Sequence, residues 1–128
     1  MPPIPIDLFH RGVRVLRDGT MFDEPRRMIG DIDGWSLGAF HLETAADAHG
    51  DHWEVHPSGD ELVAVLTGGI RMFFHPENPG AEEDSLALTA GQACIVPRDR
   101  LHRIELDGPT DLLSLSPRRG SRLEERAR

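Results

Sequence analysis

The chain has 128 residues, which is enough for one ordinary domain with a hydrophobic core. It carries 22 acidic residues against 14 basic ones, and the net charge of -8 argues against a surface that follows nucleic-acid phosphates. No stretch approaches the roughly 20 apolar residues of a membrane helix, and the N-terminus lacks the pattern of a signal peptide. We therefore expect a cytoplasmic protein without nucleic-acid or membrane partners.

The first segment, residues 1–34, reads as an irregular arm packed in part on the rest of the molecule. Pro2, Pro3 and Pro5 disfavour regular structure at its start, and 13–16 is the one apolar run in it that suggests a short strand. From 34 onward, short alternating or β-rich runs are separated by turn signals. The predicted strands are 34–42, 52–56, 61–67, 70–75, 85–88, 93–96, 101–106 and 111–115.

Two features organise these predicted strands. Gly68-Gly69 is a tight-turn signal, and it predicts that 70–75 is the return strand of 61–67. The regular spacing predicts an all-β fold, either an antiparallel sandwich or a barrel, over 35–117. The charged segment 118–128 is predicted to be a C-terminal tail that is a frayed helix or disordered.

Several potential metal ligands converge in this arrangement. The period of two in a strand places Glu54 and His56 on one face. Glu61 follows across a short turn, and His102 belongs to a later strand that could close over the same point if the sheet curls. This mixture of imidazoles and carboxylates suits a divalent first-row metal. His52 shares the predicted face and is an alternative ligand, although i and i+4 on a strand lie about 13 Å apart.

These residues resemble the motifs of the cupins. Glu54-x-His56-x4-Glu61-x6-Gly68 is similar to the first cupin motif, with Glu54 where the family has a histidine. The run from Gly91 through Pro97 to His102 is similar to the second motif, with Asp99 and Leu106 where the family has glycine and asparagine. Two motifs at compatible spacing are a stronger signal than either alone.

The resemblance implies an antiparallel cupin, or jelly-roll, β-barrel that forms a homodimer and holds one divalent metal, Fe, Mn or Zn. Carried over residue by residue, the metal ligands would be Glu54, His56, Glu61 and His102. Glu54 is also a candidate catalytic residue, since a carboxylate beside a metal can act as a general base on bound water.

Two functions fit this sequence. The first is metal-assisted chemistry of the oxygenase, lyase or isomerase type on a small metabolite. The second is a non-catalytic module that binds or senses a small ligand. The chain has no lysine and no tyrosine, which excludes a lysine Schiff base and a phenolic acid or base. Cys94 is the single cysteine, which excludes an internal disulfide.

Arginines near His102 offer a further possibility. Arg98, Arg100 and Arg103 surround it in sequence, and one of them could pair with an anionic substrate. Salt bridges to the acidic surface are the alternative for the same side chains.

Overall fold

The computed structural model describes residues 2–26 and 30–126, and within them the chain is built from β-strands and turns. No helix in this part of the chain is long and apolar enough to cross a membrane. The strands are β1 (Arg11–Val15), β2 (Met21–Pro25), β3 (Trp35–Leu42), β4 (His52–Val55), β5 (Glu61–Thr67), β6 (Gly69–Phe74), β7 (Asp84–Thr89), β8 (Ala93–Val96), β9 (His102–Leu106), β10 (Thr110–Pro117) and β11 (Arg122–Glu125).

The strands form two antiparallel sheets that pack face to face. One has six strands in the order β2-β1-β3-β10-β5-β8, and the other has five in the order β11-β4-β9-β6-β7. The predicted all-β jelly-roll architecture is confirmed, although the hydrogen bonds run within two separate sheets and do not close into one barrel. The eight strands predicted between 34 and 115 all form, with ends that differ by a residue or two.

The apolar core lies between the two sheets and follows the alternation of the strands. In β5, Glu61, Val63 and Val65 are buried while the residues between them are half-exposed. Ile70 and Met72 do the same in β6, where both are completely inaccessible to solvent. The period of two therefore places the apolar residues in the core and brings Glu61 to the same inner face.

The predicted pairing at the double glycine is wrong. β5 and β6 do not form a hairpin, because β5 pairs with β8 and β10 in one sheet while β6 pairs with β7 and β9 in the other. Gly68 has a φ of +83° and sits where the chain crosses between the sheets, and a Cβ there would lie 2.5 Å from the carbonyl oxygen of Pro109. The glycine signal thus marks a sharp change of direction that has no room for a side chain.

Both flanking segments contribute strands. In 1–34, the suggested short strand appears as β1, which pairs with β3, and β2 was not predicted. The prediction of a frayed or disordered tail is wrong over Arg122–Glu125, which pairs with β4 as β11. The charged sequence of this segment does not indicate a strand, and the segment forms one because its backbone pairs with β4. The division at 34/35 and 117/118 stays a prediction.

Candidate metal centre

The four predicted ligands lie close together, and both sheets contribute to them. Glu54 lies on β4, and His56 follows directly after that strand. Glu61 begins β5 in the opposite sheet, and His102 begins β9, where it is the register partner of Glu54. The cluster therefore joins the two sheets, and it exists only when they are packed together.

The ligand atoms of these side chains surround a common point. One atom from each of Glu54, His56, Glu61 and His102 lies within 4.8 Å of the other three. Glu61 Oε1 is 3.0 Å from His102 Nε2 and 3.3 Å from His56 Nε2. Glu54 Oε1 is 2.6 Å from His56 Nε2 and 4.0 Å from His102 Nε2.

Glu54 is more exposed to solvent than the other three residues. His56, Glu61 and His102 are each at most 6% exposed, whereas the Glu54 side chain is 36% exposed. Three ligand candidates are thus fixed inside the fold, and the fourth can reach solvent or a bound molecule. This difference supports the two roles, ligand or general base, that the sequence leaves open for Glu54.

Hydrogen bonds on the outer side of the cluster orient its side chains. His102 Nδ1 lies 2.9 Å from the carbonyl oxygen of Arg100, and His56 Nδ1 lies 2.7 Å from Ser121 Oγ. Ser114 Oγ donates to Glu61 Oε2 at 3.0 Å. The Nε2 atoms of both histidines consequently face the cluster, with Nδ1 held from behind.

The electrostatics of the cluster are dominated by burial and by these close contacts. Burial alone would lower the pKa of His56, but hydrogen bonds and charge interactions with Glu54 and Glu61 outweigh it and raise the pKa to about 9. Burial also opposes ionisation of His102, yet its contact with Glu61 raises its pKa. For Glu61, burial would raise the pKa, and the two imidazoles reverse this and lower it.

The donor set fits a divalent metal. In the metal-free protein, the Glu61 carboxylate lies between the imidazoles of His56 and His102, and protonation of these rings compensates the charge that burial would otherwise penalise. A divalent cation can replace the two protons on the Nε2 atoms and interact with the same carboxylates. Two imidazoles with carboxylate oxygens suit Fe(II), Mn(II) or Zn(II) rather than softer ions. His52 lines the adjacent cavity but is not part of the cluster.

A cavity of about 590 Å³ opens from the cluster. Its walls include apolar side chains from both sheets, among them Phe40, Leu42, Val63, Ile104 and Leu112. Polar residues also line it, including His49, Arg118 and Arg122. The volume falls in the range of small-molecule sites, and the cavity combines apolar walls with many polar and charged side chains.

The three arginines near His102 all form ion pairs, Arg98 with Asp99 at 3.9 Å, although Arg103 also lines the cavity. Arg100 pairs with Glu77 and Asp84, and Arg103 pairs with Glu83 while its guanidinium lies 4.1 Å from the Phe73 ring centroid. These contacts favour the salt-bridge alternative for both residues.

The cavity also contains residues that sequence reasoning missed. Arg118, Ser121 and Arg122 belong to the charged C-terminal segment, and Ser114 lies on β10. The pairing of β11 with β4, which no local pattern indicates, helps to bring the C-terminal residues to the cavity.

Comparisons with known proteins give structural matches only. No protein-family model matches the chain, and no curated protein matches it. A cupin-2 domain protein from Shewanella frigidimarina is 18% identical over 72% of this chain and 78% of its own, with a TM-score of 0.51.

Two further solved structures have slightly higher TM-scores. Peruvianin-I, a cysteine peptidase from Thevetia peruviana latex, is 20% identical over 73% of this chain and 58% of its own, with a TM-score of 0.55. A deletion mutant of Bacillus subtilis oxalate decarboxylase is 18% identical over 71% of this chain and 24% of its own, with a TM-score of 0.53. The match to that enzyme thus spans about a quarter of its length, and at these identities the shared property is the fold.

Proposed function

Since this chain has the cupin fold, we propose that it binds one divalent metal, Fe, Mn or Zn, and carries out metal-assisted chemistry on a small organic molecule. The observation that carries the proposal is the convergence of Glu54, His56, Glu61 and His102 from three strand regions onto one point beside a cavity. Oxalate decarboxylase from Bacillus subtilis, one of the structural matches, has Mn(II) centres.

The proposed roles follow from burial. His56, Glu61 and His102 would hold the metal, because they are buried and their orientation is fixed by hydrogen bonds. A metal in this position supplies a Lewis acid that polarises an oxygen of the bound molecule. Glu54 is either the fourth ligand or the base that accepts a proton from water or from that molecule.

The cavity supplies the rest of the proposed site. Its apolar walls, which include Phe40, Leu42 and Leu112, would exclude water from around a bound molecule. The exclusion of water would strengthen the interactions between that molecule and the charged cluster. We infer a substrate small enough for about 590 Å³. Because the chain lacks lysine and tyrosine, proton transfer falls to carboxylates, histidines or water.

The alternative is a non-catalytic module that binds or senses a small ligand. It is supported by the same cavity, because apolar lining residues such as Phe40 and Leu112 could hold a small molecule without any reaction. Turnover of a bound molecule by the metal-loaded protein would decide for the enzyme. We further propose a homodimer, as the cupin resemblance suggests, in the cytoplasm, where the single free Cys94 would stay reduced.

Elemental analysis tests the proposal. Protein purified without chelators or a metal-affinity column should contain, or take up, close to one Fe, Mn or Zn per chain. The double variant His56→Ala, His102→Ala should lose it. His10→Ala, His41→Ala is the matched control, since both of these histidines are largely exposed and outside the cluster, and it should retain the metal.

A second variant separates the two roles of Glu54. Glu54→Gln should bind metal almost as well as the parent protein if Glu54 is a base, and it should bind distinctly less tightly if Glu54 is a ligand. A parent protein that takes up none of the three metals would contradict the proposed function.

A further inference from the structure

The C-terminal segment 118–126 reaches back to the cluster through Ser121. The Ser121 hydroxyl oxygen lies 2.7 Å from His56 Nδ1, and the two residues are 65 positions apart in the chain. Ser121 lies outside the residues that resemble the cupin motifs, which end at Leu106. It nevertheless contacts a side chain at the centre of the proposed metal site.

The directions of the hydrogen bonds follow from the number of protons available. Ser121 Oγ has a single proton and donates it to the carbonyl oxygen of Pro117 at 3.1 Å. Its bond with His56 must therefore run the other way, from Nδ1–H to the serine oxygen. With the proton held on Nδ1, the Nε2 lone pair of neutral His56 faces Glu54 and Glu61 and can bind a metal, and the other neighbour of this nitrogen is Ser116 Oγ at 3.4 Å.

His102 is held by the same kind of contact, but by a local one. Its Nδ1 lies 2.9 Å from the carbonyl oxygen of Arg100, two residues earlier, and a carbonyl can only accept. Both imidazoles thus present Nε2 to the cluster. The difference is that the support for His102 belongs to its own strand region, whereas the support for His56 comes from the end of the described chain.

The segment that carries Ser121 is itself fixed in several places. β11 pairs with β4, the Ile32 amide donates to the Arg118 carbonyl at 2.9 Å, and the Gly120 amide donates to Asp31 Oδ1 at 3.0 Å. Gly120 has a φ of +74°, a conformation that favours glycine, directly before Ser121. These anchors hold the hydroxyl in place behind His56.

We propose that Ser121 is a positioning residue that holds the imidazole of His56 with Nε2 directed at the metal, so that the C-terminal segment is an integral part of the metal centre. This inference rests on the proposed function, because it assigns the support of a proposed ligand. Partners of this kind typically contribute 10–100-fold, roughly, to metal affinity.

The first test is the affinity of the full chain for Zn(II), measured by competition with a chelating dye. Ser121→Ala should bind about 10-fold more weakly than the parent protein. Ser121→Thr keeps the hydroxyl and should restore the affinity. Ser85→Ala, at an exposed position on β7, is the matched control and should not change it. Circular dichroism of each variant verifies that the strands are intact.

The second test reads the imidazole directly and needs no metal. In ¹⁵N-edited NMR spectra of the metal-free protein, the Nδ1 proton of His56 should exchange slowly with water. In Ser121→Ala this protection should be lost, while Ser121→Thr should retain it. The loss should be confined to the Nδ1 proton of His56. A general loss of stability would differ from this, because amide protons elsewhere in the core would then lose protection as well.

The outcomes distinguish the two proposals. If the parent protein binds no Zn(II), the proposed function fails, and the protection of the Nδ1 proton alone decides whether Ser121 holds the ring. If the parent protein binds Zn(II), both the loss of affinity and the loss of protection are required. Unchanged affinity or an unchanged Nδ1 proton in Ser121→Ala would overturn the inference.

Discussion

Replacement of Glu61 by glutamine tests the electrostatics of the cluster in the metal-free protein. The Glu61 carboxylate is 5% exposed and lies between the imidazoles of His56 and His102. At pH 6 both imidazoles are charged, because their pKa values are raised. The glutamine keeps the shape but removes the compensating charge, and removing one partner of a buried ion pair costs about 3–5 kcal/mol.

The cost depends on pH in a defined direction. The pKa of His56 is raised from 6.5 to about 9. Protonated His56 therefore stabilises the folded state fully below pH 6.5, and this stabilisation is lost as the pH rises through 9. This difference corresponds to on the order of 3 kcal/mol. The pKa of Glu61 is lowered, so its stabilisation is present above 4.5 and is lost as the pH falls toward the folded-state value. The full effect is therefore expected between 4.5 and 6.5.

At pH 10 the same substitution should be nearly neutral. His56 is then uncharged, and the lone pair on its Nε2 faces the Glu61 carboxylate at 3.3 Å, which is unfavourable. A glutamine amide can donate a hydrogen bond to that nitrogen. We therefore expect Glu61→Gln to lose about 3 kcal/mol of unfolding free energy at pH 6 and less than about 1 kcal/mol at pH 10.

Urea denaturation in the presence of a chelator at both pH values measures this difference. Ser114→Ala is the control, since it removes one hydrogen bond to Glu61 without changing any charge. It should cost about 1 kcal/mol at both pH values. An equal cost of Glu61→Gln at pH 6 and pH 10 would refute the electrostatic reasoning.

Other parts of the structure give further expectations. Gly68→Ala should cost about 3 kcal/mol of unfolding free energy, because a Cβ would lie 2.5 Å from the Pro109 oxygen, whereas Gly91→Ala, also at positive φ but in open space, should cost about 1 kcal/mol. Equal costs in urea denaturation would contradict this difference. Met72→Ala in the core should cost about 2–5 kcal/mol, while the 66% exposed Met21 should tolerate alanine within about 0.5 kcal/mol. Similar thermal midpoints for these two variants would contradict the placement of the core. Binding of Zn(II) at pH 7 should release the proton that His56 carries, since its pKa is raised to about 9, as calorimetry in buffers of different ionisation enthalpy can count. Release of no proton would show that His56 is not a ligand.

The sequence predicts most of the strands because alternating or β-rich runs are separated by turn signals. β5 is a continuous apolar run from Leu62 to Leu66, and the alternation between its two faces appears only in the burial of its side chains. The sequence does not predict which strands pair with each other. Two glycines at 68 and 69 indicate a turn, but contacts distant in sequence decide whether the next strand pairs with the previous one or crosses to the other sheet.

The candidate site shows the same division. Glu54, His56, Glu61 and His102 were predicted because motif spacing and the period of two place them together, and the structure brings all four to one point. Their role as ligands stays a prediction. Ser121 could not be predicted, since a lone serine in a charged segment has no local pattern, and contacts distant in sequence, among them the pairing of β11 with β4, place it at the site.

The position of β11 also affects the association of the protein with other copies of itself. β11 is the outermost strand of the five-stranded sheet, and it covers the edge of β4, whose backbone groups would otherwise be available to another chain. It is itself short and carries Arg122, Glu124 and Glu125, which are features that discourage pairing between molecules. We expect a chain that ends at 117 to aggregate, as light scattering would show. The segment that supports His56 thus also protects the sheet against edge-to-edge association.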